Sequence, residues 1–327
     1  MTTSQRTRIS LMGFALTLVP ILADSFPEAE ISNGQLRVKL YLPDSKSGYY
    51  RATRFDWSGV IASLEYKGHS YFGQWFQKYD AKIHDSITGP VEEFLTGNVA
   101  LGYDEAKPGG TFVRIGVGVL RKPDEPQFRR FFTYDIVDPG EWTVRRASNS
   151  VEFTHAVADA GSGYGYRYLK TVRLVRDKPE MTLEHTLKNT GSKTIRTDVY
   201  NHNFFVIDGQ PTGPDFSVQF PFPLKATRDL RGLAEIRGST LNYLKEFGPT
   251  DRVQTELTGF TTSDKDHDIR IENRKSRAGV RLRGDRPLSR VIFWSAEKVL
   301  SPENYVTMEI EPGREFRWKI VYEFYTL

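Results

Sequence analysis

The chain has 327 residues, of which 39% are apolar, 26% charged and 13% aromatic, and 45 basic against 41 acidic side chains give a net charge of +4. This excludes global disorder, because the apolar content is sufficient to offset the entropy of ordering. Past residue 25 no uncharged apolar run reaches the ~18 residues that a membrane helix requires. The basic residues are interleaved with acids, which argues against a nucleic-acid partner, and the lack of any Cys removes disulfides, thiol nucleophiles and thiolate metal sites together.

Residues 1–23 read as an export signal. Arg6 and Arg8 form a short basic region, Ile9 to Ala23 is apolar with Pro20 near its end, and Ala23-Asp24 is the expected cut. The mature chain is then expected outside the cytoplasm, periplasmic or secreted, with no membrane contact. From residue 24 to 327 the sequence predicts one domain. Period-two alternation dominates past residue 30. It runs through Leu36 to Leu42, Thr111 to Leu120, Arg130 to Ile136, Trp142 to Thr154, Tyr166 to Val175, Met181 to Leu187 and Arg196 to Tyr200. Further runs are Phe216 to Phe220, Asp268 to Glu272, Gly279 to Leu282, Val291 to Trp294, Tyr305 to Ile310 and Phe316 to Tyr325. Turn residues such as Pro108-Gly109-Gly110, Asp138-Pro139-Gly140 and Pro312-Gly313 separate them. Only Arg228 to Lys245 hints at helix. With no linker and no fixed repeat, the expected fold is all-β, a large antiparallel sandwich whose concave face can line one cleft.

The polar residues that interrupt this pattern are the site candidates. In Tyr200-Asn201-His202-Asn203-Phe204-Phe205, four hydrogen-bonding side chains meet an aromatic pair at a strand end. Each needs a partner if buried, so the segment suits a pocket for a hydroxylated ligand or a polar cap on the strand. His84 precedes Glu92 and Glu93 in a Gly/Pro loop that reads equally as a site or as a solvated surface. Arg54 and Asp56, with Trp57 opposite, are the usual means of holding a sugar's hydroxyls and its apolar face. The bland alternative is a salt bridge beside a core Trp. Glu297 and Glu303 close an apolar stretch containing Trp294, and a carboxylate emerging there is partly desolvated and a better base. Alternation does not choose between them, because a turn is expected in between. His185 shares a strand face with Leu183 and Leu187 and reads as core, and His267 lies in a polar loop. The six His show no metal-ligand spacing, so no metal and no cofactor is expected.

Asn201-His202-Asn203-Phe204 resembles the Asn-His-Thr-Tyr-Phe motif of the aldose 1-epimerase (galactose mutarotase) family. The C-terminal stretch, ending in Pro312-Gly313-Arg314-Glu315 and a last strand, is similar to that family's ending. Gly59 to Leu64 followed by Lys67-Gly68-His69 is similar to its first strands. The likeness covers most of residues 30–327. It implies a galactose mutarotase-like β-supersandwich that binds a mono- or oligosaccharide, with His202 as general acid and Glu303, or its rival Glu297, as general base on opposite sides of a ring. Arg54, Asp56, Asn201 and Asn203 would then hold hydroxyls, and Trp294 or Trp57 would stack. The family's Asn-Arg and Leu-His-Gly motifs are absent in that form; Arg54 and the His84 to Phe94 loop stand in their region. Two other readings stay open: a polysaccharide lyase or hydrolase of the same fold using Tyr200, His202, Lys170 and Arg54, and a carbohydrate-binding protein without activity.

Overall fold

The computed structural model describes residues 26–327, so the expected export signal lies outside the described residues. Period-two alternation of apolar side chains gives most strands one buried face, and the chain satisfies it by stacking two large antiparallel sheets. The ten-stranded sheet runs from the strand Ala234–Arg237 at one edge to Glu141–Ala147 at the other, with Glu315–Thr326, Glu180–Asn189 and Tyr164–Leu174 in its middle. The six-stranded sheet has the order Lys225–Ala226, Val253–Thr258, Arg290–Ala296, Val299–Ile310, Ile195–His202, Val91–Leu95. A four-stranded and a three-stranded sheet complete the described residues.

The inner faces of the two large sheets make the core. Leu183, Val280, Ile320 and Tyr322 from the wider sheet pack with Val253, Val291, Phe293 and Leu300 from the narrower one. A second cluster joins Tyr166, Tyr168 and Trp318 to Phe94, Val199 and Met308.

Three local expectations are corrected. Arg228 to Lys245 holds no helix; Ala234–Arg237 and Thr240–Tyr243 form a hairpin there. Thr111 to Leu120 is a hairpin rather than one strand, because Gly116 and Gly118 take φ of 80° and 139° and turn the chain. Arg130 to Ile136 is extended only from Ile136 onward, and Phe131 and Phe132 are 54% and 41% exposed. The turn expected between Glu297 and Glu303 falls at Glu297 and Lys298, and Pro302 and Glu303 lie inside the strand Val299–Ile310.

Candidate active site

The site is built on the outer face of the six-stranded sheet. Alternation along Ile195–His202 sends Tyr200 and His202 outward and Asn201 inward. The same strand pairs with Val299–Ile310, with Val199 opposite Val306, and beyond its end Phe205 bridges Leu300. The ladder and the bridge share one register, which sets His202 opposite Glu303, and His202 Nε2 stands 3.3 Å from Glu303 Oε1. Next to them Tyr200 and Tyr305 stack with centroids 4.4 Å apart. Glu297 sits in the turn between Arg290–Ala296 and Val299–Ile310, away from His202. The structure therefore separates the two rival carboxylates.

His202 is clamped by aromatic rings. Phe204, which takes φ 41°, stacks on the imidazole at 3.6 Å, and Phe55 and Trp294 meet it edge-on at 5.8 and 5.3 Å. Its Nδ1 is buried without a partner. Burial, reinforced by the Arg54 and Arg130 charges, holds the imidazole well below its usual pKa. Burial pushes Glu303 up to about 7 despite the same two arginines. As cross-strand neighbours the two groups stand side by side on one sheet face.

One strand over, Glu93 pairs with Tyr200 in register and faces the same way. It is fully buried and gripped by three guanidinium groups. Arg54 Nε donates at 3.0 Å, Arg114 Nη2 at 3.0 Å, and Arg130 donates from Nε and Nη2 at 2.8 and 2.7 Å. Tyr200 also donates its hydroxyl to Glu93, and accepts from Arg130 at 2.7 Å. Burial would raise the Glu93 carboxyl, but Arg130 and Arg54 outweigh it and hold the group well below the carboxylate range. Arg114 is also a bracket: it donates to the carbonyls of Thr53, Arg54 and Phe94 and so fixes the loop that carries Arg54. Arg54 bonds Asp85 as well, and His84 Nδ1 lies 2.8 Å from that carboxylate at the rim.

Several expected ligand contacts are corrected. Asn201 donates to Glu92 at 2.9 Å, and Asn203 bonds the Pro302 carbonyl at 2.6 Å and the Tyr322 hydroxyl at 2.8 Å, so both serve the core rather than the cleft. Arg54 and Asp56 do not share a strand, since residues 51–58 form a loop. Asp56 is buried beside Ser58 and 3.8 Å from Lys170. Lys170 is bonded to Glu92, which also takes His185 at 2.8 Å. Trp57 is a core residue bonded to the Ala52 carbonyl. His267 is buried, not solvated. The outward set is therefore Arg54, Glu93, Tyr200, His202, Trp294 and Glu303. To it the structure adds Arg114, Arg130, Tyr305 and Trp75, the last packed edge-on to Trp294 at 5.4 Å. Arg114 left one sequence signal, a lone charge in the apolar run Phe112 to Leu120.

No protein-family profile and no curated protein matches the sequence. Solved structures do. An aldose epimerase homologue from C. elegans has a TM-score of 0.56 at 17% identity, covering 93% of this chain and 100% of that one. The fold is galactose mutarotase-like. A galactose mutarotase related enzyme from Lactobacillus acidophilus gives 0.55 at 14% identity over 91% and 97% of the two chains. A galactose mutarotase-like protein from Clostridium acetobutylicum gives 0.53 at 13% identity over 93% and 100%. At these identities the likeness establishes the galactose mutarotase-like architecture alone.

Proposed function

We propose that the protein interconverts the anomers of a sugar by acid–base catalysis, with Glu303 and His202 as the reacting pair. The observation that carries this is the 3.3 Å contact between His202 Nε2 and Glu303 Oε1. The anomeric hydroxyl and the ring oxygen are bonded to one carbon, so two groups side by side reach both. The opposed shifts of the pair fit a single shared proton: Glu303 as the acid with neutral His202, in exchange with Glu303 carboxylate and His202 imidazolium. From the second form, Glu303 takes the proton of the anomeric hydroxyl while His202 gives its proton to the ring oxygen. The C1–O1 double bond forms as the C1–ring-oxygen bond breaks. Rotation about C1–C2 and the reverse transfers close the other anomer and restore both groups. Trp294 and Trp75 supply apolar surface beside the pair.

The lyase alternative draws less support. Lys170 is committed to Glu92, and Tyr200, bonded to Glu93 and buried, is pushed well above its usual pKa and is a poor base. We also propose export, from the basic and apolar pattern of residues 1–23.

The test is anomer exchange followed by optical rotation on freshly dissolved sugars. His202→Ala and Glu303→Gln are each expected to slow turnover by ~10²–10⁴-fold, the usual contribution of a proton-transfer partner. Sugar binding that is unaltered in both variants, without exchange by the wild type, would leave a binding protein instead.

A further inference from the structure

Around the reacting pair, the charges do not balance. Arg54, Arg114 and Arg130 face two carboxylates, Glu93 and Asp85. Arg114 is spent on three backbone carbonyls and Glu93, and Arg54 has all three nitrogens occupied by Glu93, Asp85 and Tyr200. Arg130 differs. Its Nε and Nη2 are held in a two-point grip by Glu93, which leaves Nη1 outside that grip on a guanidinium whose orientation is fixed. Its side chain retains 29% exposure, whereas that of Arg114 has 2%. It rises from a loop, not a strand, beside the half-exposed ring of Phe131 and against Tyr200, two positions from His202. Because Nη2 also donates to Tyr200 at 2.7 Å, Nη1 alone is left to offer a single charge-assisted hydrogen bond to a carboxylate or phosphate. Within reach of the Arg130 charge, His202 Nδ1 is buried with no partner, a polar atom that a bound ligand can satisfy.

We propose that the sugar acted on here carries an anionic group, a carboxylate or a phosphate, and that Arg130 is the specificity residue that takes it. This rests on the anomer-exchange reading. It also supplies a function for the field of the arginines. With the site empty, Arg54 and Arg130 join burial in keeping His202 neutral. An anion on Arg130 offsets that field and favours the imidazolium that must protonate the ring oxygen. The substrate's own charge would then ready the acid, and a neutral sugar would bind without doing so.

The experiment compares glucose, glucuronate and glucose 6-phosphate with the wild type, Arg130→Gln and Arg130→Lys, by anomer exchange. One anionic sugar is expected to exceed glucose in kcat/KM by about 10- to 100-fold, the size of one charged hydrogen bond; which of the two does so identifies carboxylate or phosphate. R130Q should collapse that ratio towards one, and R130K should keep part of it. Equal use of glucose and both anions by the wild type, or an equal loss on all three sugars in R130Q, overturns the proposal. If R130Q does not fold, the wild-type ratio and R130K still decide. Calorimetric titration of the three sugars onto Glu303→Gln separates the two readings. Anion binding that R130Q weakens on that background, with no exchange by the wild type, sinks anomer exchange and leaves the anion site standing. Exchange of glucose with no preference for either anion does the reverse.

Discussion

At the scale of the residue, the unusual feature is that a carboxyl and an imidazole share a dry niche whose burial shifts the carboxyl up and the imidazole down. If catalysis needs the pair with one proton, activity should fall as pH rises through about 7, where Glu303 loses it. The lower limb should lie well below the usual His range, because His202 resists a second proton. A rate profile that instead rises through 7 and stays high would mean a lone base. Stability carries the same signature with its own sign. Glu303 has its folded pKa above the unfolded one, so the native state binds more protons between about pH 4.5 and 7 and stability falls across that window. The charge costs roughly 3 kcal/mol above it. Glu303→Gln should therefore melt higher than the wild type at pH 8, with the gap closing near pH 4.5. Thermal denaturation at the two pH values checks this.

Elements explain which parts of the site could be read in advance. His202, Glu303, Arg54, Glu93, Tyr200 and Trp294 were visible as charged or hydrogen-bonding side chains set beside aromatic or apolar ones. Asn201 and Asn203 were visible for the same reason, yet a strand sends neighbours to opposite faces, and these two turn to Glu92 and Tyr322. Glu92 and Glu93 divide in the same way, one to the core and one to the site. Arg130 was beyond reach. Its partner Glu93 is 37 positions away, and its loop imitates alternation by having aromatic and polar residues in sequence. The turn between the Thr111–Arg114 and Gly118–Arg121 strands bears on the same cluster, since it holds Arg114 in place. A Cβ at Gly116 would come within 2.5 Å of Asp56 Oδ1, at a φ of 80°. Gly116→Ala is expected to destabilise by about 1–3 kcal/mol. Chemical denaturation measures it; a neutral result would show that Asp56 moves freely.

On the scale of the whole molecule, the two large sheets are joined by more than apolar contact. Lys170 and His185 belong to the ten-stranded sheet, Glu92 and Asn201 to the six-stranded one, and all four meet at the Glu92 carboxylate with no solvent exposure to speak of. A group of this kind gives little net stability when intact but costs much when broken, because its partner is left charged and dry. Lys170→Met should cost about 3–5 kcal/mol, and adding Glu92→Gln should recover part of it. Two denaturation curves read the difference. A single variant as stable as the wild type would show that water reaches the joint.

The division of each central strand into an inward and an outward row has a further result, for how such a chain can drift. The inward row answers to packing and the outward row does not, so substitutions in the outward row leave the core intact. A library varied only at Trp294, Tyr305 and Ile292, the last paired in register with Glu303, should then reshape the surface beside His202 without leaving the scaffold, which makes this sheet a promising starting point for directed evolution.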